Sequence, residues 1–328
     1  MKIIGYFIIF LLAISCKSDK SNLNVIEGAA IGTTYSIKYI SNDTINFTYK
    51  IDSIVMAVNK SLSTYIPTSD ISKINDGDTS IVVDHLFVAV FNKSKKIFDE
   101  TSGEFDPTVG ILVNAWGFGP ENEIPNLEDT KVKELMQFVG YNKVQLINGK
   151  IYKESPQIYF DFNAIAKGYL VDLVGELLEK HTISNYLVEI GGEIRARGTN
   201  QNGEAWRIAI EDPNTDGSRS FATTLQLKNE AMATSGNYRK FKIAEDGKKY
   251  VHTINALTGF ATESNLLSAS VITLDECAFA DGYATAFMAM GLEKTKTFLE
   301  LHPEIKVYLI YSNSKGEIET FKTGNFNN

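Results

Sequence analysis

The clearest hydrophobic pattern in the chain follows a short apolar run and an acid, Asp161. From Ile165 to Leu178, apolar residues recur three or four positions apart, which predicts an amphipathic helix packed on a core. Asp161 and Lys167 then lie near the start of this helix, where unpaired backbone N–H groups and the helix dipole favour anionic ligands. Asp172 is interpreted as part of its polar face. Asp also caps helices that bind no ligand, so this stretch alone leaves a structural and a functional interpretation open.

Similar patterns predict further helices and strands, with no linker or clean repeat that would divide the chain. Helices are predicted over residues 51–62, 86–98, 129–138 and 281–290. Strands or hairpins are predicted over residues 25–40, 147–150, 158–160, 186–190, 206–210, 223–227, 231–234, 240–252 and 266–273. The sequence therefore predicts a single α+β domain of mixed and antiparallel sheets with packed helices.

The first residues have the pattern of an export signal. Lys2 precedes an apolar run over residues 3–14, which is shorter than the ~20 residues that a membrane-spanning helix needs. The sequence up to Cys16 resembles a bacterial lipobox, which implies cleavage before this cysteine and a lipid on it. The implied divisions are a signal peptide over 1–15, a polar tether over 16–24 and a folded domain over 25–328. A plain secretory signal with an unmodified cysteine is the alternative.

The export signal predicts a location in the bacterial cell envelope. With the lipid on Cys16, we expect the protein to be anchored to a membrane, at the periplasmic face of the inner membrane. Cys277 is the only other cysteine, so no disulfide is expected within the mature chain.

Charge narrows the class of partner. The chain has 32 basic and 40 acidic residues, a formal net charge of −8, and no basic run or basic–aromatic patch. These properties argue against general nucleic-acid binding. They do not argue against the binding of one phosphorylated small molecule in a local pocket.

A second acid stands at the predicted start of a helix near the C-terminus. Asp281 and Thr285 are four positions apart, which places a carboxylate and a hydroxyl on one helix face. Oxygen ligands suit Mg²⁺, which commonly also binds phosphate oxygens. A capping Asp and a Thr bonded to its own helix are the structural alternative. Together with the junction at Asp161, this pattern suggests that two helix starts converge on one Mg²⁺–phosphate site.

His252 is the histidine whose surroundings most favour chemistry. It lies in the sequence Tyr250-Val-His-Thr-Ile254, shortly before a Thr-Gly turn. An imidazole in this setting can act as an acid or a base, or bind a phosphate. A structural histidine within a strand is the alternative.

Taken in order, these stretches resemble the FAD:protein FMN transferase family, the ApbE-type flavin transferases. The matching segments are residues 32–35, 63–75, 103–108, 161–172, 189–193, 233–236, 252–259 and 280–285. The resemblance implies an ApbE-like fold, related to the T-folds. It also implies a Mg²⁺-dependent transfer of FMN from FAD to a Ser or Thr hydroxyl of a target protein, with release of AMP.

The resemblance implies roles for particular residues as well. The Mg²⁺ ligands would be the side chains of Asp281 and Thr285 and the backbone carbonyl of Ala164. The flavin site would contain Ile31, Tyr65, Glu104, Phe105 and Asp106. The nucleotide and its phosphates would contact Asp161, Lys167 and His252. His252, Lys167 and Asp281 are the expected catalytic residues, and the base that accepts the hydroxyl proton is left open between His252 and a nearby carboxylate.

Four positions depart from the family pattern. Ile31 stands where Met is usual, Asn163 where Gly is usual, and Asn255-Ala256 where Asp-Pro is common. Some relatives instead hydrolyse FAD to FMN and AMP, and Tyr65 beside the flavin favours the transferase. A lipoprotein that only binds FAD is the non-enzymatic alternative. The implied acceptor is a protein with a Ser/Thr flavinylation motif, in a membrane redox complex such as the Na⁺-translocating NADH:quinone reductase.

Overall fold

The computed structural model describes residues 22–43, 45–213, 220–237, 241–243, 249–261, 264–274 and 276–326. Its helices are α1 (Thr48–Leu62), α2 (Asp70–Asn75), α3 (His85–Glu100), α4 (Gly110–Ala115), α5 (Asp129–Leu135), α6 (Asn163–Lys180), α7 (Cys277–Met290) and α8 (Leu292–Leu301). Its strands are β1 (Leu23–Ala30), β2 (Thr33–Ile40), β3 (Val144–Ile147), β4 (Lys150–Lys153), β5 (Tyr186–Ile190), β6 (Glu193–Arg197), β7 (Trp206–Glu211), β8 (Phe221–Leu227), β9 (Glu230–Gly236), β10 (Phe241–Ile243), β11 (Lys249–Val251), β12 (Leu266–Leu274), β13 (Lys306–Ser312) and β14 (Ile318–Lys322).

An eight-stranded sheet organises the fold, in the order β1-β2-β5-β6-β9-β12-β13-β14. Each neighbouring pair in this sheet is antiparallel. Because side chains alternate between the two faces of a strand, successive residues enter different cores. On β5, Val188 and Ile190 belong to the core under the helices, whereas Leu187 belongs to the core on the opposite face.

Different elements cover the two faces of the sheet. Helices α6 and α7 pack on one face and on each other, and α1 and α3 extend the same core. The β7–β8 hairpin covers part of the other face through Trp206, Ile208 and Leu227. A smaller apolar cluster joins α4 and α5 to Ile254 and Ala261, which attaches the segment after β11 to the helices.

The predicted α+β fold is confirmed, with two corrections to its elements. Helix α7 begins at Cys277, one turn before its predicted start, so Asp281 lies beyond the first turn. Residues 158–160 form no regular strand, and Tyr159 makes a single parallel bridge to Val109.

The N-terminal boundary also moves. Strand β1 begins at Leu23, inside the segment that was predicted as a tether. The predicted signal peptide and Cys16 lie outside the described residues. Among the helices of the described residues, none is long and apolar enough to cross a bilayer.

Candidate active site

A glycine sets the distance between α6 and α7. The backbone N–H of Gly168 donates a hydrogen bond to Asp281 Oδ2 at 3.0 Å, and Asp281 is only 3% exposed. A Cβ atom on Gly168 would lie 2.4 Å from the carbonyl oxygen of Cys277 and 2.8 Å from the Cβ of Asp281. Glycine is therefore the residue that lets the two helices approach closely enough for this contact.

Lys167 lies beside two buried acids at this junction. Its Nζ is 2.5 Å from Glu193 Oε1, and Glu193 is the first residue of β6 and 2% exposed. Burial by itself would lower the pKa of Lys167, but the charges of Asp281 and Glu193 raise it above its ordinary value. Lys167 therefore stays an ammonium at neutral pH. Burial raises the pKa of both carboxyl groups, and the Lys167 charge opposes that rise.

One oxygen of Glu193 distinguishes this cluster from an ordinary ion pair. Its Oε2 is buried and has no hydrogen-bond partner among the residues that the structure describes. A buried carboxylate oxygen without a donor is costly, and a cation or a ligand proton would compensate it. Glu193 ends the motif over residues 189–193, and the sequence did not predict a role for it. An acid that directly follows the Gly191-Gly192 turn at the start of a strand is the signal that pointed to it.

Ala164 and Thr285 flank the same junction. In a regular α-helix, the carbonyl of Ala164 accepts from the N–H of Gly168, four residues later. A carbonyl oxygen has two lone pairs, so that of Ala164 has capacity for a further partner whether or not it accepts this N–H. Thr285 is one turn beyond Asp281 on α7, and its hydroxyl is 3.2 Å from the hydroxyl of Ser235 on β9. A carbonyl, a carboxylate and a hydroxyl thus lie on adjacent turns of two contacting helices.

Asp172 caps α7 from the side of α6. Its two oxygens accept hydrogen bonds from the N–H groups of Cys277 at 2.7 Å and Ala278 at 2.9 Å. Arg195 Nη1 is 3.5 Å from the carboxylate. Asp172 is 2% exposed, so its interpretation as part of a polar face is wrong. Its position three residues after Tyr169, within the apolar stripe, is the signal that it needs buried donors.

Asp161 belongs to a different group of side chains from Lys167. Its Oδ1 accepts a hydrogen bond from the N–H of Asn163 at 2.8 Å, and its own N–H donates to the carbonyl of Pro107 at 2.7 Å. Desolvation and the nearby Asp161 charge raise the pKa of Tyr65, whose side chain is 60% exposed. Asn163 is helical and exposed, so the residue in place of the usual glycine requires no unusual backbone conformation.

The side chains of Glu104, Phe105 and Asp106 are buried in the loop between α3 and α4. The carboxylate of Asp106 accepts hydrogen bonds from the N–H groups of Thr108 at 2.8 Å and Tyr141 at 2.9 Å. Burial raises the pKa of Asp106, and these donors oppose the rise. The three side chains therefore support the loop from inside, and their contact with a flavin stays a prediction.

Ile31 and Gly32 form the turn between β1 and β2. Ile31 has a φ of 42°, an uncommon value for a β-branched residue. The turn lines an open cleft of about 520 Å³, together with Val55 and Asn59 of α1. Ile31, which the resemblance assigns to the flavin site, is partly buried at this cleft.

His252 directly follows β11 and is partly buried. The hydroxyl of the next residue, Thr253, donates to Asn237 Oδ1 at 2.9 Å. Asn237 follows the last residue of β9, the strand whose Ser235 contacts Thr285. A short series of contacts thus connects the His252 segment with the α6–α7 junction.

The model of the ApbE family matches residues 31–309. The chain belongs to this family. Among similar proteins, the FAD:protein FMN transferase of Haemophilus influenzae is 36% identical, over 96% of this chain and 94% of that protein. This ApbE-family chain also resembles solved structures in three dimensions. The flavin transferase ApbE from Vibrio cholerae has a TM-score of 0.83 at 34% identity, covering 93% of this chain and 98% of that one. The apo flavinyl transferase ApbE of Pseudomonas stutzeri has a TM-score of 0.83 at 29% identity, covering 93% and 96%.

The family predicted from the ordered motifs is thereby confirmed, as is its ApbE-like fold. The roles of individual residues stay predictions.

Proposed function

We propose that this ApbE-family chain is a Mg²⁺-dependent enzyme that transfers FMN from FAD to a Ser or Thr hydroxyl of a target protein and releases AMP. The observation that carries this proposal is the cluster of Lys167 with the buried acids Glu193 and Asp281 at the α6–α7 junction. The names of the relatives, which are FAD:protein FMN transferases, support the same activity.

The residues at the junction fit a divalent cation. The cluster combines one ammonium with two carboxyl groups, and burial raises the pKa of Glu193 to about 8 and that of Asp281 to about 6. A bound cation would favour the ionised form of both acids, because it would balance the negative charge that one ammonium leaves. The Ala164 carbonyl, the Asp281 carboxylate and the Thr285 hydroxyl would hold it, and oxygen ligands of this kind suit Mg²⁺. The unpartnered Oε2 of Glu193 supports a cationic centre close by.

When bound, Mg²⁺ would supply charge stabilisation for the phosphate oxygens of FAD. Lys167, kept protonated by its two acids, would bind the pyrophosphate. Tyr65 and Ile31 would bind the isoalloxazine ring, and Asp161 would contact the nucleotide. This arrangement would orient FAD at the junction.

In the reaction, the acceptor hydroxyl oxygen attacks the phosphorus of the FMN moiety. A new P–O bond to the protein forms, and the P–O bond to the AMP phosphate breaks. The hydroxyl proton passes to a base, for which His252 is the first candidate and Asp161 the second. The products are the flavinylated protein and AMP.

The test is a labelling reaction with FAD, Mg²⁺ and a co-expressed acceptor fragment that carries the family's Ser/Thr motif. We expect a mass gain of one FMN and in-gel flavin fluorescence, both abolished by a chelator. Free FMN and AMP without label would establish a FAD pyrophosphatase instead. A protein that binds FAD but forms neither labelled acceptor nor free FMN would be a non-enzymatic flavin-binding protein.

We also propose that the protein is exported and anchored by a lipid on Cys16, where it would act on a subunit of a membrane redox complex. The lipobox-like sequence before Cys16 supports this location. When cells are fractionated, the C16S protein is expected in the soluble fraction and no longer in the membrane fraction. A C16S protein that stays with the membrane would contradict the lipid anchor.

A further inference from the structure

We propose that Glu104 and Asn255 form a matched acid–amide pair that positions the His252 segment against α7. In this pair, the amide at position 255 is required because the Glu104 carboxylate faces it. The inference rests on the proposed role of His252 and assigns a function to two residues outside the reacting groups. Both are positioning residues.

The side chain of Asn255 uses its whole hydrogen-bonding capacity. Its Nδ2 donates to Glu104 Oε2 at 3.0 Å and to the carbonyl oxygen of Ala289 at 3.2 Å. Its Oδ1 accepts from the N–H groups of Leu257 and Thr258, both at 3.0 Å. Two acceptors on one side and two donors on the other fix the orientation of the amide. Asn255 and Glu104 are both buried, so an unmatched group here would be costly.

These bonds connect three parts of the fold. Glu104 lies in the loop between α3 and α4, and Ala289 lies in the last turn of α7. Asn255 is three residues after His252. The amide therefore ties the backbone after the histidine to the helix that carries Asp281.

Further contacts hold the remainder of this segment. Trp116 Nε1 donates to the carbonyl of Gly259 at 2.9 Å, and Ile254 pairs with Ala261 in an isolated bridge. Trp116 is the residue after α4, and the side chains of Ile254 and Ala261 pack in one apolar cluster with those of α4 and α5. The Asn255 bonds attach the segment directly to α7, whereas the contacts of Thr253 with Asn237 and of Ser235 with Thr285 reach this helix by way of β9.

Charge explains why an amide suits position 255 in this chain. An aspartate there would still accept from Leu257 and Thr258, but it would place a second buried carboxylate against Glu104. It would also face the carbonyl of Ala289 without a proton to donate. Lys294 Nζ pairs with the other oxygen of Glu104 at 2.5 Å. In N255D, this one ammonium group would have to neutralise two carboxylates. The Asn255 amide thus gives the buried Glu104 carboxylate a donor, and the carboxylate gives the amide an acceptor.

The test compares N255D, E104Q and the double variant E104Q/N255D in the labelling reaction. The resemblance assigned Glu104 to the flavin site, but both of its carboxylate oxygens bind protein groups, Asn255 and Lys294. We therefore expect N255D to lower kcat on the order of 10- to 100-fold through displacement of the His252 segment, with a much smaller change in KM for FAD. The double variant should recover most of this loss, since a glutamine amide can donate to the aspartate carboxylate.

N313D is the matched control. Asn313 also donates to two carboxylates, Glu317 at 2.9 Å and Glu319 at 2.7 Å, and its Oδ1 accepts from the N–H of Lys315 at 2.9 Å. It lies in the turn between β13 and β14, away from the site. N313D should therefore keep the kcat of the unmodified protein.

A second readout does not depend on turnover. The imidazole resonances of His252, read by NMR in protein with isotope-labelled histidine, should shift in N255D and return in the double variant. Unchanged resonances and kcat in N255D would overturn the inference. So would a double variant that regains thermal stability without regaining kcat and the resonance positions. If the unmodified protein transfers no FMN, the proposed function fails, and the NMR result still decides whether the pair positions His252.

Discussion

The backbone N–H of Gly168 donates to the carboxylate of Asp281, across 113 positions in the sequence. This bond joins the two helices that carry the proposed cation ligands. Ala164 lies one turn before Gly168 on α6, and a backbone carbonyl has two lone pairs, so its oxygen can bind a cation in addition to a helical N–H. The contact therefore brings Asp281 close to a backbone oxygen of α6 that can share a ligand with it.

The first prediction concerns this contact. In G168A, the added methyl would collide with the Cys277 carbonyl and with Asp281, so α6 and α7 would separate. We expect the free energy of unfolding to fall by about 1–3 kcal/mol, as for other overpacked sites. FMN transfer should fall by about 100-fold or more, since a displacement of one ångström can cost that much. Urea unfolding and the labelling reaction measure the two effects.

G324A is the control for this variant, because a Cβ at Gly324 meets nothing within 4 Å. It should unfold and react like the unmodified protein. A G168A protein with normal stability and activity would show that the helix spacing does not set the geometry of the site.

Local patterns were sufficient to predict much of the fold. The apolar stripes of α1, α3 and α6 and the alternation in β1 and β2 are visible in the sequence, because each element buries one face. The start of α7 could not be predicted from the sequence, because the residue that caps it is Asp172, 105 positions away from Cys277. No local signal marks a helix whose first N–H groups are satisfied by a distant side chain.

In the candidate site, too, local features could be predicted and contacts between distant residues could not. Asp281 and Thr285 could be predicted from their spacing, since one helical turn separates them. The partner of Lys167 could not, because β6 reaches α6 only through the pairing order of the sheet. Similarly, the bond between Glu104 and Asn255 joins residues 151 positions apart, and neither residue alone indicates it.

The charge of Asp281 can be separated from its hydrogen bond. In D281N, the amide oxygen can still accept from Gly168, so the junction should stay folded, but the negative ligand is lost. We expect FMN transfer to fall by about 100-fold or more, in the range typical of a lost electrostatic group in an active site. We expect Mg²⁺ to raise the melting temperature of the unmodified protein, and this rise should be absent in D281N. D43N, an exposed acid outside the site, is the control and should keep both properties.

Glu193 is expected to act on the cation through charge. In E193Q, Lys167 loses its nearest anion and interacts more strongly with Asp281, which then attracts a cation less. Calorimetric titration should show Mg²⁺ affinity lower by about tenfold, as for other changes around a ligand shell. The comparison is E230Q, which removes the Glu230–Lys306 ion pair at 2.6 Å on another part of the sheet. Equal Mg²⁺ affinities in E193Q and E230Q would exclude this role for Glu193.

Asp172 should make the stability of the protein depend on pH. Burial raises its pKa to about 7, from an ordinary value of 3.8, although the N–H groups of Ala278 and Cys277 and the Arg195 charge oppose the rise. Because the folded pKa is the higher one, the stability that this group contributes is complete below pH ~4 and is lost as the pH rises through about 7.

The measurement is urea unfolding of the unmodified protein and of D172N at pH 5.5 and at pH 8. Between these values the unmodified protein should lose about 2 kcal/mol more than D172N, which has no proton to release at this position. D172N should also be less stable at both pH values. Its amide has one acceptor oxygen, so one of the two N–H groups at the start of α7, that of Cys277 or of Ala278, loses its hydrogen bond. Parallel pH profiles for the two proteins would show that the donors around Asp172 outweigh its burial and keep it ionised throughout.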